Sequence, residues 1–403
     1  MVVGRGDPRP MSISPRLRQA LVVVVVVVAV VATLLYALHA PTPAGGGTAS
    51  ASPHYAVIAT IAEINVSGIP VGFWPQYVTY DPENGLMYVA SEFSQTVTIL
   101  DPNSFQVTQV LPTGADARGL VVDPSNHLLF VSNDYSSNLT VINTTTETVQ
   151  TTLDYSPFGY MVGEQLDPAT GQLLVLANNP PDSILSINPN TYAVTQILPI
   201  DLNPGGGNGY AINETTHVIY FPARGDNAVS EIGELNGTAF AQVSMPGEEG
   251  PTSTFFDPLN GLIYVMLGGW LWMGPGSQGV ALNPATNQIV ANFTLGAWPD
   301  AYAYNAVTEL LYVSCAASGN ISIINASTNR VVGSIFLGNG TLPGAIAIDP
   351  ATGNLFIGED GPGSLVEVAL VGAPVASQGP LSPASTGGDV QAARWLGMPT
   401  RVH

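Results

Sequence analysis

With 403 residues, 9% of them charged, and with 43 Gly and 33 Pro, the chain is poor in material for long solvated helices and rich in material for turns between short strands. All nine basic residues are Arg, and between His54 and Gly372 there are 27 Asp and Glu against Arg118, Arg224 and Arg330, a formal charge of −24. Such a surface repels phosphate backbones and anionic lipid, which excludes nucleic acid as a partner of the folded part and leaves proteins, neutral sugars or metal cations.

Residues 1–19 carry Arg5, Arg9, Arg16 and Arg18 and read as a cytoplasmic N-terminus. Residues 20–38 are uncharged and include seven consecutive Val, Val22 to Val28. As a helix they span ~28 Å, enough to cross the hydrocarbon core, so one N-terminal transmembrane helix is expected, acting as a signal anchor. Everything after it then lies outside, in a single-pass protein of the cell membrane. A cleaved signal peptide competes, through Ala49-Ser50-Ala51, but that site lies about ten residues past the apolar run. Residues 39–56 read as a flexible stalk, and the similar composition of 372–403 reads as a disordered tail.

From residue 57 to residue 371 one unit recurs. The turn Asp81-Pro82-Glu83-Asn84-Gly85 precedes the apolar strand Leu86-Met87-Tyr88-Val89-Ala90, and its counterparts begin at Asp123, Asp167, Asn213, Asp257, Asn305 and Asp349. A second alternating strand and a second Asx turn follow, as at Asp101-Pro102, Asn188-Pro189 and Asn283-Pro284. Four strands per unit and seven units predict an all-β, seven-bladed β-propeller. Val57 to Val66 reads as an outermost strand without inner strands of its own. It should complete the last unit and close the ring.

These repeats resemble the YVTN-type β-propeller family of archaeal and bacterial cell surfaces. Met87-Tyr88-Val89-Ala90, Leu311-Tyr312-Val313-Ser314 and the turn Asn283-Pro284-Ala285-Thr286-Asn287 carry the resemblance. The family's Asn-bearing loop is matched at Asn133 and Asn178 and absent at Ser91 and Gly268. The resemblance implies fold and surface location, and no particular activity.

In such a blade the Asp-Pro turns share one face, here the turn face, and the loops between the second and third strands share the other, the loop face. Candidate ligand-binding residues gather on the loop face: Trp74, Phe93, Tyr135, Tyr160, Trp270, Trp272, Trp298, Asp116 and Asp300. Aromatic rings among carboxylates suit a saccharide or a protein surface. Trp74-Pro75 and Trp298-Pro299 occupy equivalent places, and for these two packing between blades is the competing expectation.

His127 and His217 both replace Gly85 of the first unit, on the turn face of non-adjacent blades, and converge on no common substrate. Cys315 is expected to be a buried strand residue, and Gly274 to Gly279 fits a dinucleotide-loop pattern without a following helix. A binding scaffold without catalytic residues or resident metal is therefore expected. The alternative is a lactonase- or lyase-like envelope enzyme using Asp116, Glu164, Asp300 and Glu359 around a divalent metal, and calcium is the one cofactor that the acidic excess would admit. Nine Asn-X-Ser/Thr sequons lie beyond the anchor, among them the glycosylation candidates Asn138, Asn143, Asn236, Asn292 and Asn320.

Overall fold

A computed structural model describes residues 54–62, 75–178, 182–200, 209–247, 250–270 and 274–371. At all seven repeat positions an Asx side chain accepts a hydrogen bond from a backbone N–H two or three residues on. The pairs are Asp81 with Glu83 (2.9 Å), Asp123 with Asn126 (3.3 Å), Asp167 with Ala169 (3.1 Å), Asn213 with Thr215 (3.1 Å), Asp257 with Leu259 (2.9 Å), Asn305 with Val307 (3.0 Å) and Asp349 with Ala351 (2.9 Å). Each turn then closes on a residue of positive φ: Gly85, Gly171, Gly261 and Gly353 in the odd blades, and His127, His217 and Glu309 in the even ones. The turn geometry is constant while the residue that tolerates it best is not.

Seven four-stranded antiparallel sheets result. Blade 1 runs from its innermost strand Tyr77–Asp81 through Leu86–Ser91 and Thr96–Asp101 to the outermost strand Gln106–Pro112. Blades 2 to 6 repeat this order, with innermost strands Val121–Asp123, Tyr160–Leu166, Ala211–Asn213, Ser253–Phe256 and Pro299–Asn305. Blade 7 takes Pro343–Ile348, Leu355–Glu359 and Ser364–Val371 from the C-terminal end and His54–Ala62 from the N-terminal end. The closing strand pairs His54 with Val371 and Ala62 with Ser364, with a bulge between Val57 and Ala59. It begins three residues earlier than the sequence suggests and ends at Ala62. Because Glu359 pairs with Ser364 at the loop face, both His54 and Val371 lie at the turn face.

Second strands are covered by a neighbouring blade on each side, so Leu128–Asn133 is buried at every position, whereas the outermost Thr148–Asp154 alternates exposed and half-buried. Seven apolar clusters fill the seven blade interfaces, and the seventh, with Val78, Met87 and Val89 against Ala347, Phe356 and Leu365, seals blade 7 to blade 1. The motif tyrosine has a specific task in two blades. Asn84 donates to the Tyr88 hydroxyl at 2.8 Å and to Thr144 O of blade 2 at 3.0 Å, while the Tyr264 hydroxyl of blade 5 donates to Ala326 O of blade 6 at 3.1 Å. Each fastens an odd blade to the outer turn of the next even one.

Cys315 ends the strand Leu310–Cys315 and is wholly buried, and burial pushes its thiol up to about 11. Gly274 to Gly279 opens the strand Gly274–Asn283, so no helix follows that glycine pattern. The apolar run 20–38, Trp74, Trp272 and the tail lie outside the described residues. Among the described residues no helix is long and apolar enough to cross a membrane.

Candidate functional site

The loop face of blades 1 and 2 is organised by one buried arginine. Arg118, just ahead of the innermost strand of blade 2, meets Glu92 at 3.3 Å, Asp134 at 3.4 Å and Asp116 at 3.5 Å. Glu92 and Asp134 stand in equivalent loops of adjacent blades, each directly after a second strand, and all four side chains are buried. Burial drives the Asp116 carboxyl well above the usual carboxylate range although Arg118 pulls it down, with Glu92 and Asp134 adding to the rise. The residue's φ is +64°, and its carbonyl accepts the Asp134 N–H at 2.8 Å. Trp298 and Leu342 repeat this device in blades 6 and 7: both have positive φ and accept from Ala316 and Asp360, so each fixes its own second-to-third loop.

Over this cluster the aromatic rings are open to solvent. Phe93, Tyr135 and Tyr160 are 39%, 46% and 42% exposed, on three consecutive blades. Burial, then Asp116, raises the Tyr135 hydroxyl to about 12, which places it within electrostatic reach of the ion cluster. A face of this kind can stack on an apolar or sugar ring while the carboxylates beneath keep the local potential negative.

No family model matches the chain, and no curated protein matches it. Solved structures share its fold. The chain is similar to Kuenenia stuttgartiensis hydrazine synthase, with a TM-score of 0.62 and 12% identity over 75% of this chain and 98% of that one. It is also similar to virginiamycin B lyase from Staphylococcus aureus, with a TM-score of 0.63 and 12% identity over 79% of this chain and 100% of that one. At such identity the likeness is one of fold alone, and the resemblance to YVTN-type repeats rests on the repeat residues themselves.

The acids singled out for metal chemistry sit on four different blades with separate partners. Asp116 lies on Arg118, and Glu164 of blade 3 accepts from Ser132 N of blade 2 at 3.1 Å. Glu359 accepts from the Ser364 hydroxyl at 2.7 Å, and Asp300 acts electrostatically on buried Arg224, whose guanidinium burial lowers to about 10. Among the described residues no three His, Cys, Asp or Glu are grouped to hold a metal ion. His127 and His217 lie on the turn face, and His217 Nδ1 meets Glu234 at 3.1 Å. Trp298 is half-buried, and Trp270 ends the strand Ile263–Trp270. Of this cluster only Asp116 stands among the loop-face candidates named from sequence. The available signal is Asp116-Ala117-Arg118 lying between two acids, Glu92 and Asp134, at matching positions of adjacent repeats.

Proposed function

We propose that the chain is an exported, membrane-anchored propeller whose loop face is a binding surface for a cell-surface protein or glycan. The observation that carries this reading is the trio Phe93, Tyr135 and Tyr160, exposed at the loop face of three consecutive blades, the first two directly after Glu92 and Asp134 of the Arg118 cluster. His54 and Val371 both lie at the opposite face of the ring. Export is supported by the uncharged run 20–38 behind four arginines.

The test is binding of the purified chain to an array of envelope-type saccharides and to an envelope protein extract. Tyr135→Ala and Phe93→Ala should each weaken capture about tenfold, since an exposed anchoring ring contributes about 1–2 kcal/mol, while the unfolding midpoint stays unchanged. Capture insensitive to both substitutions overturns the loop-face assignment. The second reading, a lactonase- or lyase-like enzyme with a carboxylate-held divalent metal, draws on the fold shared with the Staphylococcus aureus lyase. It predicts metal-dependent turnover lost in Asp116→Asn. The separate partners of Asp116, Glu164, Asp300 and Glu359 make binding the preferred reading.

A further inference from the structure

We propose that the fold sorts the chain's sequons into those that carry an N-linked glycan and those that cannot, and that the aromatic patch on blades 1 to 3 is thereby kept bare. The inference rests on the export reading, because the transferase and its lipid-linked sugar donor lie beyond the membrane. Transfer breaks the anomeric C–O bond to the lipid phosphate and joins that carbon to Asn Nδ2. The amide proton leaves as the lipid phosphate departs, and no redox partner is needed.

The amide must afterwards face solvent, and its neighbours must leave room for a sugar. Asn143 and Asn325 meet this condition in the outer turns of blades 2 and 6. Asn143 Oδ1 turns inward to accept from Thr145 N at 3.1 Å and Thr146 N at 2.9 Å, and Asn325 Oδ1 accepts from Thr328 N at 2.9 Å and the Ser327 hydroxyl at 2.8 Å. These bonds fall on Oδ1 and not on Nδ2, and both asparagines are half-buried. Both turns are clamped from behind: Thr144 N donates to His127 O at 2.9 Å, and Ala326 N to Glu309 O at 2.8 Å. A sugar there disturbs nothing that holds the blade.

Asn236 occupies the corresponding turn of blade 4 and is exposed, as are Asn292 on the outermost strand of blade 5 and Asn339 beyond that of blade 6. The equivalent turns of blades 3 and 5 begin Asn188-Pro189-Asn190 and Asn283-Pro284-Ala285, which are not sequons.

Three others fail. A Cβ on Gly114 would lie 2.4 Å from Asn138 Oδ1, and one on Gly296 2.3 Å from Asn320 Oδ1, so both amides are packed under a neighbouring loop. Their sequon hydroxyls are committed as well: Thr140 accepts from Asn133 Nδ2 at 3.0 Å, and Ser322 from Gly296 N at 3.0 Å. Asn213 is 8% exposed. Asn138 starts the third strand of blade 2 at the loop face, beside the Tyr135 loop, so a glycan there would lie next to the patch; Asn65, the ninth sequon, lies outside the described residues.

The experiment is site-resolved glycopeptide mass spectrometry on the full chain, expressed in a eukaryotic secretory pathway with its own apolar run 20–38 as the targeting segment. The folded monomer that reaches the cell surface and the retained, misfolded fraction are mapped separately. The monomer should carry glycan at Asn143, Asn236, Asn292, Asn325 and Asn339 and none at Asn138, Asn213 or Asn320, whereas the retained fraction carries it at those three also. Glycan at Asn138, Asn213 or Asn320 in the folded monomer overturns the proposal, and so does its absence from the five permitted sites. Glycan absent from the retained fraction as well would mark failure of the export reading, on which the proposal rests. That failure is also detected separately, by protease accessibility of the chain in its membrane.

Discussion

At the scale of single residues, the seven Asx turns set a conformational demand that four glycines meet without strain and three other residues meet at a cost. Glu309 closes its turn at φ +54° and His127 at +53°, in a region that costs an L-residue about 1–2 kcal/mol. Glu309→Gly relieves that strain but adds freedom to the unfolded chain, so a net gain of about 0.5 kcal/mol is expected in urea unfolding. Gly85→Ala should move the other way, by about 1 kcal/mol, because its φ is +73°. The repeat made His127 legible as a substitute for Gly85. The Arg118 cluster was harder to read, since a list of loop acids does not say which are buried together. Arg118→Ala leaves Glu92, Asp116 and Asp134 facing one another without a cation, and stability should fall by about 3–5 kcal/mol at neutral pH.

At the scale of the strand and the blade, closure depends on one segment far away in sequence. His54–Ala62 covers the edge of Ser364–Val371, which otherwise offers a row of unpaired backbone groups. Removing residues 54–62 should lower the unfolding midpoint by about 10 °C and produce association visible in light scattering, because the exposed edge recruits a second chain. A monomer of unchanged midpoint would show that the ring holds without its closing strand. The seven units and their closure were readable because Asx-Pro turns and apolar strands recur at nearly constant spacing. The bounds of the closing strand were less so, since its register is set by Ser364–Val371 and the sequence around Val57 carries no turn of its own. The alternation of odd and even blades also emerges only in three dimensions. Thr144 and Ala326 receive side chains from the preceding blade, a contact that no local pattern announces.

At the scale of the whole molecule, the sequence shows the charge and hides where it sits. Fifteen carboxylates are buried among the described residues, against two arginines, Arg118 and Arg224. Several have only neutral partners: Glu164 is held by Ser132, Glu359 by Ser364 and Glu367 by Asn354. Burial raises the carboxyls of Glu231, Glu359 and Glu367, takes Glu234 to about 7 and takes Glu164 to about 8. Asp167, joined to Glu234, is the buried carboxyl pulled down instead.

The direction of the pH dependence follows from Glu164. Its unfolded pKa is near 4.5, so between there and about 8 the folded chain binds a proton that the unfolded chain has lost. The stability it contributes is complete below pH 4.5 and is lost as pH rises through 8. Glu234 adds a smaller term of the same sign, ending near 7. The unfolding midpoint should therefore rise by on the order of 5 °C from pH 8 to pH 5. Glu164→Gln, which keeps the shape without the charge, should raise the midpoint at pH 8 and flatten the slope between pH 5 and 8. A midpoint that falls on acidification in this range, or a slope that Glu164→Gln leaves unchanged, would mean that these carboxyls stay hydrated and charged in the native ring. On the burial and hydrogen bonding described above, the domain is expected to be most stable on the acid side of neutrality.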